Sequence, residues 1–134
     1  QGRFTYRSGM AGAEKLLALD PRPTAIFASN DDMAAATVAV CHRNHLDVPN
    51  DITVCGFDDT AMASTIWPEL TPTRQPIREM TAWAVTAIAR ITRARRSGER
   101  LKVDQTNLPY TLVRRESDAA PSLVRSSSNG AKPK

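Results

Sequence analysis

Aromatic residues are scarce: three Phe, two Trp and two Tyr among 134 positions. Surfaces that bind single-stranded nucleic acid interleave basic groups with rings on which bases stack. The stretch Arg90, Arg93, Arg95, Arg96 and Arg100 has no ring among its members. It reads as a solvated helix face rather than a nucleic-acid surface. Cysteine is rarer still. Cys41 and Cys55 are too few for a disulfide scaffold, and each sits in an apolar segment, as buried free thiols do. A reduced, cytoplasmic protein fits this usage better than a structural bridge. The two histidines, His42 and His45, stand three apart near a helix end with no cysteine or second carboxylate pattern beside them. They read as a solvated helix end, and no metal site is expected. No apolar run approaches the ~20 residues of a membrane span. The first residues lack the order of a secretion signal. They begin at Gln1 rather than Met, so a processed chain or a fragment is expected. A nucleophile elbow, a P-loop and a G-x-G-x-x-G turn are all missing, so no enzyme and no cofactor are expected.

What is present is a foldable composition. Hydrophobic residues make up 41% and charged residues 24%, which excludes global disorder. The length suits one domain, or one piece of a larger one. The formal net charge of +4 is unevenly spread. Residues 1–73 carry five basic and nine acidic side chains, net −4. Residues 74–113 carry eight and three, net +5, and residues 114–134 five and two, net +3. The positive excess lies wholly in the C-terminal part.

Helix and strand signals alternate along most of the chain. Ser8 is placed as the cap of a helix running to about Leu19, with Met10, Ala13, Leu16 and Leu17 on one face. Pro21 and Pro23 end it. Thr24 to Ala28 is a short apolar run, read as a buried strand. Asn30 is a good N-cap, and Asp31 and Asp32 suit the positive end of a helix dipole. That helix runs to about Asn44, and Val48 to Asp51 form a turn. Ile52 to Phe57 is a second buried strand, followed by a loop or short helix to Trp67 and Pro68. Leu70 to Gln75 is a third, which Pro72 marks as an edge or an incomplete strand. Ile77, Met80, Ala84, Ile88 and Ile91 stripe the longest helix, which stops near Gly98. Val103 to Thr106 and Tyr110 to Val113 are further strand candidates. From Ala119 to Lys134 core formers almost vanish, and a disordered tail is expected.

This order implies an α/β fold: a mainly parallel sheet covered by helices. Ligands of such sheets bind beyond the carboxyl ends of the strands. Two polar clusters lie there, Ser29-Asn30-Asp31 and Asp58-Asp59. Asn30 offers a donor and an acceptor, and Asp58 a bidentate anionic acceptor; together they suit neighbouring hydroxyls of a sugar or a base-like amide. The plainer alternative is that Asn30 only caps its helix and Asp58 only closes a turn. Phe4 could stack on a ligand or simply pack. Ala34, Ala35, Ala36 and Ala39 make the second helix smooth, for close approach within the fold or across a dimer. Adjacent Asp58 and Asp59 point in different directions after a strand, unlike the separated carboxylates of a glycosidase.

Four phrases then carry a family resemblance: P-T-A-I-F-A-S-N-D-D-M-A, V-P-x-D-I-x-V-x-G-F-D-D-T, P-x-L-T-x-x-R-Q-P and L-P-Y-x-L-V-x-R-E-S. In this order and spacing, residues 2–118 resemble the C-terminal part of the effector-binding domain of a LacI/GalR-type transcription regulator. The resemblance implies a type I periplasmic-binding-protein-like fold, incomplete here, in which two α/β lobes enclose a small-molecule cleft. It implies that Asn30 and Asp58 hydrogen-bond the effector, that Phe4 stacks on it, and that Gln75 reaches the cleft from the hinge. It nominates Ala35, Val38, Ile66 and Trp67 for a homodimer interface. It implies a sugar or related metabolite as effector, and operator DNA bound by a helix-turn-helix headpiece absent from these residues. A solute-binding protein of a transport system shares the fold and is the alternative. In the family the long helix packs on the first lobe, so its apolar stripe is expected to lack a partner. At about 25 cal/mol per Å² this forfeits several kcal/mol, against a domain's net stability of about 5–15 kcal/mol. The isolated chain is therefore expected to be marginal and to associate; reversible two-state urea unfolding of a monomer would contradict this. His45 stands where relatives often carry glycine, which predicts a strained turn.

Overall fold

The computed structural model describes residues 3–99 and 105–120. Helix α1 (Tyr6–Leu17) precedes strand β1 (Ala25–Phe27), helix α2 (Asp31–Arg43) and strand β2 (Thr53–Phe57). A 3-10 turn, Ala61–Ser64, leads to β3 (Thr71–Arg74), the long helix α3 (Ile77–Ser97) and β4 (Thr111–Leu112). The sheet order is β1-β2-β3-β4. The first three strands are parallel, and β4 runs antiparallel to β3. The expected mainly parallel α/β sheet is thus present, with one reversed strand at its edge.

Local chemistry explains the boundaries. The cap of α1 is Thr5, not Ser8. Thr5 Oγ1 accepts from the Ser8 amide, and Ser8 Oγ accepts from the Thr5 amide, both at 3.2 Å. Ser8 therefore closes a capping box from inside the helix. Asn30 caps α2 as expected, its Oδ1 accepting from Met33 N at 2.9 Å. Beyond α2, His45 adopts φ 57°, so a β-carbon sits where glycine is at ease. Gly98, at φ 78°, stops α3 in the left-handed conformation.

The core lies between α2 and the sheet. Ile26, Ala34, Cys41, Val48, Ile52, Val54 and Leu70 are buried there. Helix α1 packs on α2 at Gly9, where a Cβ would come within 2.7 Å of Met33 Cα and 3.0 Å of Ala36 Cβ. The smooth face of α2 serves this approach, within the fold. The sheet itself is covered unevenly. Along β1, Ile26 is buried while Ala25 and Phe27 are exposed. Along β2, Val54 and Gly56 are buried and their neighbours half-buried. Apolar runs read as wholly buried strands are therefore one-sided. Phe27 and Phe57 meet edge to face on the open side, with ring centroids 6.4 Å apart.

Pro72 does not mark an edge, because β3 is paired on both sides. Its carbonyl accepts from Val113 N at 3.0 Å. Its ring nitrogen lies on that same side, where only the two-residue β4 pairs, so little hydrogen bonding is lost. The expected strand at Val103 falls largely outside the described residues, and Gln105 and Thr106 are irregular. Ala119, assigned from sequence to the tail, bonds Thr53, and residues 121–134 lie outside the described residues.

Helix α3 buries only Ala94. Ile77, Met80 and Ile88 along its stripe are exposed, Ile88 by 64%. Ala84 and Ile91 are half-buried, so the face expected to lack a partner is largely but not wholly open among the described residues.

Candidate functional site

The carboxyl ends of β1, β2 and β3 carry Asn30, Asp58 and Gln75 respectively, and Phe4 enters from the start of α1. The Asn30 amide donates to Phe4 O at 3.1 Å, in addition to the cap bond. An asparagine side chain has two donors and two acceptor lone pairs. One of each is used inside the chain, and one of each is left for a ligand, so capping and ligand binding are compatible roles. Phe4, at φ 55°, exposes 66% of its surface, and it meets Asn30 through its carbonyl. The Gln75 amide donates to Asp58 Oδ1 at 2.8 Å. Asp58 is exposed at φ 104°, and its amide bonds Thr73 O at 3.0 Å.

Two further groups hold this edge, Asp31 and Asp59; the sequence placed both in its polar clusters but gave neither a partner. Asp31 is 1% exposed, and its Oδ2 accepts from Thr60 N at 2.6 Å and Thr60 Oγ1 at 3.0 Å. Burial pushes its carboxyl pKa up, the charges of Asp58 and Asp59 add to this, and the Thr60 hydrogen bonds oppose it. Asp59 ion-pairs with Arg74 and Arg115. Burial alone would raise the Asp59 pKa, but the two guanidiniums outweigh it and hold the carboxyl below its ordinary value. The four candidates thus lie along one line of contacts, Phe4 to Asn30, then Asp31 to Thr60, then Asp58 to Gln75. Asp58 and Asp59 have separate partners, which agrees with their poor fit to a catalytic pair. In the sequence, Asp31 was marked by its polar cluster and by its place in the first helical turn.

The closing V-R-R-E-S phrase has a structural use. Ser117 is fully buried, its Oγ donating to Val54 O and accepting from Thr71 N. Arg115 donates to Leu70 O at 2.9 Å and to Asp59. Beside Gln75 lies a cavity of about 690 Å³, lined by Phe57, Met80, Trp83 and Tyr110 among others.

Of the residues nominated for a dimer interface, Ala35 and Val38 are 4% and 3% exposed and belong to this chain's own core. Ile66 is half-buried against the same core. Trp67 is 71% exposed and lies over the His42 ring, with centroids 5.6 Å apart. His42 is therefore half-buried beside a ring, not in open solvent. Cys41 and Cys55 are free thiols; burial pushes the Cys41 pKa up to about 11. Among the described residues no cluster of potential ligands could hold a metal ion, and no helix is long and apolar enough to cross a membrane.

The periplasmic binding protein-like domain profile matches residues 2–117. The chain belongs to this family. Within it, curated relatives are LacI-type regulators. It is 39% identical over 117 residues to the HTH-type transcriptional regulator DegA of Bacillus subtilis, covering 87% of this chain and 33% of that protein. It is 38% identical over 90 residues to catabolite control protein A of Priestia megaterium, covering 67% and 27% respectively. A LacI family transcriptional regulator from Bifidobacterium animalis superposes with a TM-score of 0.79 at 29% identity, over 90% of this chain and 43% of that one. The dimeric Lac repressor gives 0.75 at 30% identity, over 90% and 42%. This periplasmic-binding-protein-like chain therefore spans about a third or less of the curated relatives' length and under half of the neighbouring structures.

Proposed function

We propose that the chain is the effector-binding and dimerisation portion of a LacI-type transcriptional regulator that works in the cytoplasm. Its ligand is a small molecule, a sugar or related metabolite, bound at the carboxyl edge of β1–β3. The observation that carries this reading is the spare hydrogen-bonding capacity of Asn30 beside the exposed carboxylate of Asp58 and the exposed ring of Phe4. Together they offer a donor, acceptors and a stacking face, which is what a polyhydroxylated ring needs. Gln75 fixes Asp58 and reaches the same edge. The Thr60 hydroxyl meets the Asp31 carboxylate at 3.0 Å, but no third group orients that carboxylate as the base of a nucleophile, so the proposed activity is binding and not catalysis. The relatives' names as repressors and regulators favour this reading over a transport solute-binding protein.

In the whole regulator, operator DNA is contacted by a headpiece that these residues do not contain, and two copies associate. Trp67 is the side chain best placed to meet a second copy. The effector acts through its differential affinity for two arrangements of the lobes, and by linkage the factor by which it changes operator affinity equals the factor by which operator changes effector affinity.

The test uses the full regulator carrying this chain. Asp58→Ala is expected to abolish the response to effector while operator binding is retained. Normal induction by the variant overturns the assignment of the site.

A further inference from the structure

We infer that Asp31 is a positioning residue for the proposed effector edge: it ties the loop after β2 to the start of α2, and so sets Asp58 beside Asn30. The inference rests on the reading of Asp58 and Asn30 as effector groups.

Asp31 is an expensive choice for its place. It is 1% exposed, and its Oδ1 has no hydrogen-bond partner among the described residues. A buried carboxylate with a bare oxygen destabilises a fold unless something compensates. Room for that oxygen comes from Gly56, where a Cβ would lie 2.5 Å from it. An apolar residue here would serve packing alone at lower cost.

What the carboxylate holds is a strained loop. Asp58 and Asp59 follow one another at φ 104° and 59°, a region L-residues other than glycine seldom enter. Two such residues in a row persist only where their surroundings dictate it. From the sheet side, Asp58 N bonds Thr73 O, and Asp59 pairs with Arg74 and Arg115. From the helix side, both polar groups of Thr60 bond one oxygen of Asp31. Only this second hold comes from the element that presents Asn30. Asp31 is the next residue after Asn30, and Thr60 is two after Asp58, so the bond sets one ligand group against the other.

The test is amide NMR on the 134-residue chain. Asp31→Ala removes the hold. Asp31→Asn keeps an oxygen that can accept from both groups of Thr60, with its amide nitrogen against Gly56. In Asp31→Ala, hydrogen-exchange protection of the Thr60 amide is expected to fall about tenfold or more, while Val54 in β2 keeps its protection. The Gln75 side-chain amide is expected to shift as its bond to Asp58 loosens. Asp31→Asn should restore both signals to within about twofold. Thr60→Val, which loses only the hydroxyl bond, should show the same pattern more weakly, and it decides the matter if Asp31→Ala does not fold. Equal loss of protection at Thr60 and Val54, no change at either, or an Asp31→Asn variant that behaves like Asp31→Ala overturns the inference. Induction of the full regulator carrying Asp58→Ala separates the two ideas. A hold intact by these signals, with normal induction in that variant, counts against the effector reading alone.

Discussion

Helices α2 and α3 are opposite cases. Of the 13 residues in α2, eight are buried. Of the 21 in α3, one is. Yet α3 has the cleaner amphipathic stripe, while α2 is a run of alanines with apolar residues on several sides. The difference lies in the neighbours. Helix α2 is sandwiched between α1 and the sheet, so nearly every face must be small or apolar. Helix α3 has one apolar face; Met80 and Trp83 line a cavity with Phe57 and Tyr110, and the rest of the face is largely open among the described residues. A helical stripe records what a helix is built to bury; the elements at hand decide what it does bury.

This contrast can be broken by substitution. Leu70 is fully enclosed in the core beneath α2, and Leu70→Ala is expected to cost about 3 kcal/mol through lost burial and a cavity. A urea midpoint close to that of the parent chain would show that the core is looser than its burial implies. Ser117→Ala strands the Val54 carbonyl and the Thr71 amide and is expected to cost about 1–3 kcal/mol. The same midpoint reads it, and a negligible shift would mean the two groups find other partners. Ile88→Ser, at the centre of the bare stripe, is expected to cost under about 0.5 kcal/mol in the chain alone. A loss above about 1 kcal/mol would reveal that the stripe is covered, by a second copy or by residues beyond those described.

Much of this was legible in the sequence for a plain reason. The strands, the α2 cap at Asn30 and the stop at Gly98 are written within a few residues of where they act. The strand ends fix where a ligand edge must lie, so Asn30, Asp58 and Gln75 could be placed there without a structure. Contacts across the chain were not legible. Asp31 meets Thr60 29 positions away, and Arg115 meets Asp59 56 positions away. Nothing in the local pattern of either pair announces its partner. The shift of the first cap from Ser8 to Thr5 has a subtler cause, since both residues can cap and both take part. The burial of Ala35 and Val38 was not legible either, because an apolar helix face suits a close approach whether the partner is the same chain or another. Pro72 is tolerated between two strands because its ring nitrogen, which cannot donate, lies on the side where only the two-residue β4 pairs.

Ser117 carries a consequence in time. Its hydroxyl joins β2 to β3 across sequence separations of 63 and 46 residues. Contacts so distant along the chain close slowly, because the loop entropy is spent before the bond repays it. During synthesis, β1, α2, β2 and β3 all emerge before the residue that stitches two of the strands together. The two strands pair through their own backbones, so what Ser117 adds on arrival is a partner for the Val54 carbonyl and the Thr71 amide, two groups that stay open until the chain has reached it.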